Sequence, residues 1–202
     1  MALTTYSEIK TAVATWLARD DLANPIVDFV TLFEAAANRR LRVRQMEASA
    51  DLTPASGEVA LPSDYLAWRR VTWTGSTRVE LEYAGPSWLQ AAYPDTPAGT
   101  PKYFTIEGST LLIRPTSTTD LEFLYYQKIP VLSDTNTTNW LLTAHPDLYL
   151  FGALTEARLF ARNIDQAALW KTRRDELFEE IQMLSNKTRG AGAIRAIGQA
   201  VV

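Results

Sequence analysis

Apolar residues recur at helical spacing at both ends of this chain and at alternating spacing between them. Tyr6, Ile9, Val13 and Trp16/Leu17 share one helical face, and Thr5 with Glu8 has the form of a capping box, so the first helix is expected to run through Arg19. Asp20, Asp21 and Asn24 mark a turn. Pro25 stands where a first helical residue belongs, and Ile26, Phe29/Val30, Phe33, Ala36/Ala37 and Leu41 carry the pattern to about Gln45. So short a link predicts an antiparallel helical hairpin.

From Ala48 to Pro130 the period changes to two, and threonine, aromatic and turn residues rise. Strands are expected at Ala50–Thr53, Glu58–Leu61, Arg69–Trp73, Thr77–Tyr83, Lys102–Ile106, Thr110–Arg114 and Leu121–Gln127. Gly57, Gly75-Ser76 and Gly108-Ser109 supply turns, Pro86–Ala92 a short helix, and Pro94–Pro101 a surface loop.

After the polar run S-D-T-N-T-T-N, the stretch from Asn139 to Ala157 holds the strongest helix start in the chain. Pro146 lacks an N–H that would go unpaired there, and Asp147 beside it suits the positive end of the helix dipole. Leu148, Tyr149, Leu150, Phe151, Ala153 and Leu154 then follow with almost no polar face, which a helix tolerates only when its neighbours enclose it. This helix is expected to be a central strut. Asn163 and Asp165 interrupt the chain before a last helix with Ala167, Trp170, Leu177, Ile181 and Leu184 on one face and K-T-R-R-D-E on the other. From Gly190 the sequence G-A-G-A-I-R-A-I-G-Q-A-V-V combines glycines that lower helicity with apolar Ile194, Ile197, Val201 and Val202. Lys187, Arg189 and Arg195 give it a basic flank, and the residues by themselves fit a segment built to order against a partner and a frayed terminus equally.

These elements define an α+β protein: an α-helical bundle of about four helices with a β-rich insertion between the second and third helices, and an extended C-terminal tail. The expected boundaries are 1–47 plus 138–189 for the bundle, 48–137 for the insertion and 190–202 for a flexible tail.

Composition narrows the chemistry. An apolar fraction of 47% and a charged fraction of 21% are those of a globular protein, and no apolar run is long enough to span a bilayer. The first ten residues lack the profile of a secretory signal, so synthesis and residence in a reducing cytoplasm are expected. Zero cysteines excludes disulfides, thiol catalysis and thiolate metal sites, and one histidine excludes any two-histidine metal site within one chain. No Walker, G-x-S-x-G or G-x-G-x-x-G loop is present, so no cofactor is expected. Carboxylates are the only enzymatic option, and no spacing among the 23 acids singles out a catalytic pair. His145 reads as a surface residue ahead of the strut.

A net charge of -3 argues against a dedicated nucleic-acid binder. Arg39, Arg40, Arg42 and Arg44 point to different sides of a helix rather than along one stripe, which fits the negative helix end, or acids on a neighbouring subunit at Arg40 and Arg44, better than a grip on phosphates. Among the six tryptophans, Trp16, Trp140 and Trp170 are expected in the core. Trp68, Trp73 and Trp88 lie in the β region, where packing is favoured over a binding surface.

The pattern N-W-L-L-x-x-x-P-D-L-Y-L-x-G-A-L-x-E-A, carrying Trp140, Pro146, Asp147, Leu148, Tyr149, Gly152, Leu154 and Glu156, resembles the adaptor proteins of tailed bacteriophages. The charged last helix with Trp170, the Tyr6–Leu17 helix with its Pro25 partner, and L-P-S-D-Y-L-A-W-R-R-V from Leu61 to Val71 extend the resemblance over about residues 4–189. It implies a non-enzymatic virion protein at the head–tail junction, a homo-oligomeric ring of about twelve copies closed by a repeated heterologous contact. Its expected partners are the portal protein on one side and a tail or nozzle protein on the other, with DNA passing without specific binding, no membrane and no small-molecule substrate. The tail would be the portal-docking segment, through Lys187, Arg189, Ile194, Arg195, Ile197 and Val201. A tail-completion protein that binds tail rather than portal, and a carboxylate-dependent peptidoglycan hydrolase, are the alternatives.

Overall fold

Thr5 and Glu8 do cap the first helix. In the computed structural model, which describes residues 3–18 and 23–190, the Glu8 amide donates to Thr5 Oγ1 at 3.3 Å and the Thr5 amide to Glu8 Oε2 at 3.0 Å. Helix α1 spans Tyr6–Leu17, and Ala18 closes it in the left-handed conformation at φ 53°. Helix α2 spans Ala23–Arg40, ending short of the expected Gln45, because the chain leaves the helix at Leu41 and makes one 3-10 turn at Arg44–Met46.

The chain divides into two compact units, Met1–Gln45 with Ile129–Val202, and Met46–Lys128. Among the described residues the protein is α+β, with six helices and two four-stranded sheets. The second unit contains β1 (Glu47–Leu52), β2 (Glu58–Ala60), β3 (Tyr65–Trp73), β4 (Val79–Glu80), β5 (Glu82–Tyr83), α3 (Pro86–Ala92), β6 (Tyr103–Glu107), β7 (Thr110–Arg114) and β8 (Leu121–Gln127). Its sheets run β1-β8-β3-β4 and β2-β7-β6-β5. Alternation along β8 sends Leu121, Phe123 and Tyr125 inward, where they meet Val71, Leu81, Phe104, Leu111 and Ile113 from both sheets.

One strand expectation requires correction. The stretch Thr77–Tyr83 is not a single strand: β4 pairs antiparallel with β3, and β5 pairs parallel with β6 in the other sheet. Between them Leu81 is buried and its amide donates to the Val71 carbonyl at 2.9 Å. Period-two alternation passes through this crossing unbroken, so the local pattern carries no mark of the change of sheet.

The first unit holds α1, α2, α4 (Trp140–Ala144), α5 (Pro146–Phe160) and α6 (Ile164–Gly190). N-W-L-L forms a helix of its own, capped by Asn139, whose Oδ1 accepts from the Leu142 amide at 2.8 Å. The strut starts at Pro146 and ends where Arg162 takes a φ of 55°. It packs against α1, α2 and α6, and Leu148, Tyr149, Ala153, Leu154 and Ala157 are fully enclosed. The boundary between units falls at Lys128. Residues 129–137, placed by their composition with the β region, are tied to the helices: the Ile129 amide donates to Asn38 Oδ1 at 2.8 Å, and the Tyr6 amide to the Thr137 carbonyl at 2.8 Å.

Candidate functional site

The family-like motif of the strut lies at the centre of a buried polar network. Tyr149, fully buried, donates to Glu34 Oε1 at 3.0 Å and accepts from Asn139 Nδ2 at 2.6 Å. Glu34 Oε1 also accepts from the Leu132 amide at 3.0 Å, and Asn139 Nδ2 donates to the Pro130 carbonyl at 2.7 Å. Three side chains from α2, α5 and the start of α4 thereby hold a connection that has no ladder or helix of its own to satisfy its backbone. Burial pushes the Glu34 carboxyl up against the opposing pull of the Leu132 and Tyr149 hydrogen bonds. It also pushes the Tyr149 hydroxyl up, and the neighbouring Glu34 charge adds to that shift.

Glu34 and its partners were not foreseen. Glu34 sits on the apolar stripe of α2, between Val30 and Ala37, and is only 3% exposed. A carboxylate on a buried helical face is the signal that could have found it; the tyrosine that answers it lies 115 residues away.

Gly152 marks a close approach between α5 and α2. A Cβ built there would lie 2.0 Å from the Phe33 ring, which is fully buried and has no room to withdraw. The other motif residues serve the same packing. Trp140, Pro146 and Asp147 are half-buried at the two helix starts, Asp147 Oδ1 accepts from the Leu148 amide at 2.9 Å, and Glu156 faces Arg174 at 3.5 Å.

The arginine cluster separates by direction. Arg40, itself exposed, reaches across to α6, pairing with Asp175 and lying over the Phe178 ring, 4.7 Å from its centroid. Burial works to raise the Asp175 carboxyl, but hydrogen bonds and charge from Arg40 and Arg174 outweigh it and hold that carboxyl below its usual range. Arg42 donates to the Asn38 carbonyl at 2.7 Å, satisfying the end of α2. Arg39 and Arg44 are exposed, and Arg44 lines a recess of about 340 Å³ with Gln45, His145, Ile181, Leu184 and Ser185. Of the residues assigned to the tail, Lys187 is exposed near the end of α6 and Arg189 lies in its last turn; Ile194, Arg195, Ile197 and Val201 lie outside the described residues.

Two packing expectations change. Trp16 is not core: it is 48% exposed, edge-on to Phe151 at 6.2 Å and to Trp170 at 5.6 Å, because α1 ends at this corner and nothing in the described unit covers the ring's outer side. Leu184, expected on the inner face of the last helix, is half-exposed, and the inward position there is taken by Ser185, which is buried and accepts from the Arg44 amide at 3.2 Å. In the β unit Trp68 stacks on Tyr83 at 5.6 Å, and Trp88 packs edge-on to Tyr103 at 5.0 Å with half its surface open. Beside Trp88, α3 and β7 border a cavity of about 430 Å³ that includes Glu58, Glu107 and Arg114. Among the described residues no group of three acids or histidines is placed to hold a metal ion, and no helix is long and apolar enough to cross a membrane.

A helical unit locked from within and open-faced aromatics in both units are features of a structural protein that works by surface contact. The chain belongs to the SU10 adaptor protein family, whose model it matches over residues 4–196, a phage head–tail adaptor family. No curated protein matches it. Membership makes it a structural phage adaptor and a component of the virion, in a family that is not one of enzymes.

Proposed function

We propose that this adaptor docks beneath the portal ring, extends the DNA channel and offers its other side to tail or nozzle proteins. In this reading it assembles as a homo-oligomeric ring of about twelve copies, and the ring closes because one heterologous contact repeats around the axis. The observation that carries it is the family match from residue 4 to residue 196, which takes in both units and reaches into the basic segment after α6. Lys187, Arg189, Ile194, Arg195, Ile197 and Val201 are the portal-docking residues, apolar anchors flanked by positive charge. The β unit, with Trp68 and Trp88 open to solvent, is the platform for tail components. Arg44 contributes to subunit contact, whereas Arg40 reaches a neighbour only by giving up part of its hold on Asp175. A net charge of -3 suits a conduit through which DNA slides.

The test is to mix the full chain with purified portal rings and image the product by electron microscopy. A ring seated on the portal supports the proposal. Density on purified tails, with bare portals, supports the tail-completion reading instead. Removal of Gly190–Val202 is expected to leave a folded protein whose portal docking falls at least tenfold, and unchanged docking refutes the role given to the tail.

A further inference from the structure

Read along the chain, the outer faces of α2 and α6 carry the same order of side chains, acid, aliphatic, base, with the spacings reversed. The inner sides of these helices are already engaged, with Phe33 stacked on Phe178 at 6.1 Å and Arg40 on Asp175. On the outer side of α2 lie Asp28, Leu32 and Arg39, all exposed, with Leu32 53% open; small Ala35 lies between them and lets another helix approach. On the outer side of α6 lie Lys187, Met183 and Glu176, with Met183 57% open, and the acids Glu179 and Glu180 between them. Each face runs charge, aliphatic side chain, opposite charge.

The spacing agrees as well as the chemistry. Asp28 precedes Leu32 by four residues and Arg39 follows it by seven; Lys187 follows Met183 by four and Glu176 precedes it by seven. At 1.5 Å per residue both faces place their charges about 6 Å and about 10 Å from the aliphatic centre. We infer that α2 of one copy packs antiparallel on α6 of the next, Asp28 against Lys187, Leu32 against Met183 and Arg39 against Glu176. The occupant of each face is therefore a second copy of this chain. The two faces differ, so the contact is heterologous and leaves a free α2 face at one end and a free α6 face at the other, the property a ring or helix of copies requires. The reverse orientation would set Arg39 near Lys187 and Asp28 near Glu176, so charge specifies direction. This inference rests on the ring reading above and assigns its subunit contact to the outer faces of α2 and α6.

The chain contains no cysteine, so Leu32→Cys and Met183→Cys introduce its only thiols, both at exposed positions. Assembled with portal rings and oxidised, the double variant is expected to give a ladder of disulfide-linked multimers on a non-reducing gel, at least tenfold more than either single variant. In the cysteine-free background, Arg39→Glu and Glu176→Arg, at positions with no part in portal docking, should each lower assembly several-fold, and together they should restore it. Native mass spectrometry of the unmodified complex reports copy number independently. Normal multimers together with a double-cysteine variant that stays monomeric, or that forms only an internal disulfide, overturn this interface and leave the ring reading standing. An unmodified chain that remains single on the portal overturns the ring reading and this interface with it.

Discussion

The helical unit and the β unit solve one problem, satisfying buried backbone, by different means. In the β unit the ladders between strands pair the backbone, so the space between the sheets is filled by Val71, Phe104, Leu111, Ile113, Leu121 and Phe123, while Tyr125 sends its hydroxyl to Asp64 at 3.0 Å. In the helical unit a segment of irregular chain, 129–139, is mostly exposed but sinks into the core at Ile129, Leu132 and Asn139 with no ladder. Glu34 and Asn139 supply the missing partners, bridged by the Tyr149 hydroxyl, at the cost of burying a carboxyl. Helices satisfy only themselves, so a connection that packs among them depends on side chains placed far away in sequence.

That contrast can be broken or sharpened by substitution, with the β core expected to give the largest effect. Phe123→Ala empties the middle of the sandwich and should cost ~3–5 kcal/mol in chemical denaturation, with no dependence on pH; a smaller loss would show that the sheets close over the gap. Glu34→Ala strands the Tyr149 hydroxyl and the Leu132 amide and should cost about 2–3 kcal/mol, whereas Glu34→Gln keeps an acceptor and should cost far less. Equal losses would assign Glu34 a packing role. Gly152→Ala should destabilise by ~1–3 kcal/mol although alanine is the better helix former, since its methyl meets the Phe33 ring; increased stability would mean that α5 can back away from α2.

The smaller effects concern pH. Glu34 has a raised folded-state pKa, so its contribution is fully present below the ordinary carboxylate value of 4.5 and is lost as pH rises through the raised value. The stability of the unmodified protein relative to Glu34→Gln should therefore fall as pH increases from about that value. Asp175 behaves oppositely: its folded-state pKa is depressed, so its contribution is present above the ordinary value of 3.8 and is lost as pH falls through the depressed one. Urea melts across an acid-to-neutral series of Glu34→Gln and Asp175→Asn read both slopes, and parallel curves would remove both groups from the account.

Much of the fold was legible. The Thr5/Glu8 box, the start of the strut at Pro146 and the limits of β7 and β8 follow from pairs of residues close in sequence, whose effect is the same in any surroundings. The enclosed strut followed from its want of a polar face. The site was less legible: the motif residues were named as structural, but the reason for Tyr149 and Gly152 lies in Glu34 and Phe33 on another helix. Trp16 was misplaced because an apolar stripe identifies the packed side of a helix without saying where the packing partner ends.

Taken alone, the sequence determined the α+β class, the order of the elements, where most helices start and the family resemblance, all carried by short spacings and a contiguous motif. The tertiary structure decided that Thr77–Tyr83 divides between two sheets, that Arg40 turns to Asp175 while Arg39 faces outward, and that a buried acid holds the connection into the strut. Each of these depends on a partner distant in the chain. Local propensity specifies the conformation of a segment, and only packing specifies which of its faces meets which neighbour.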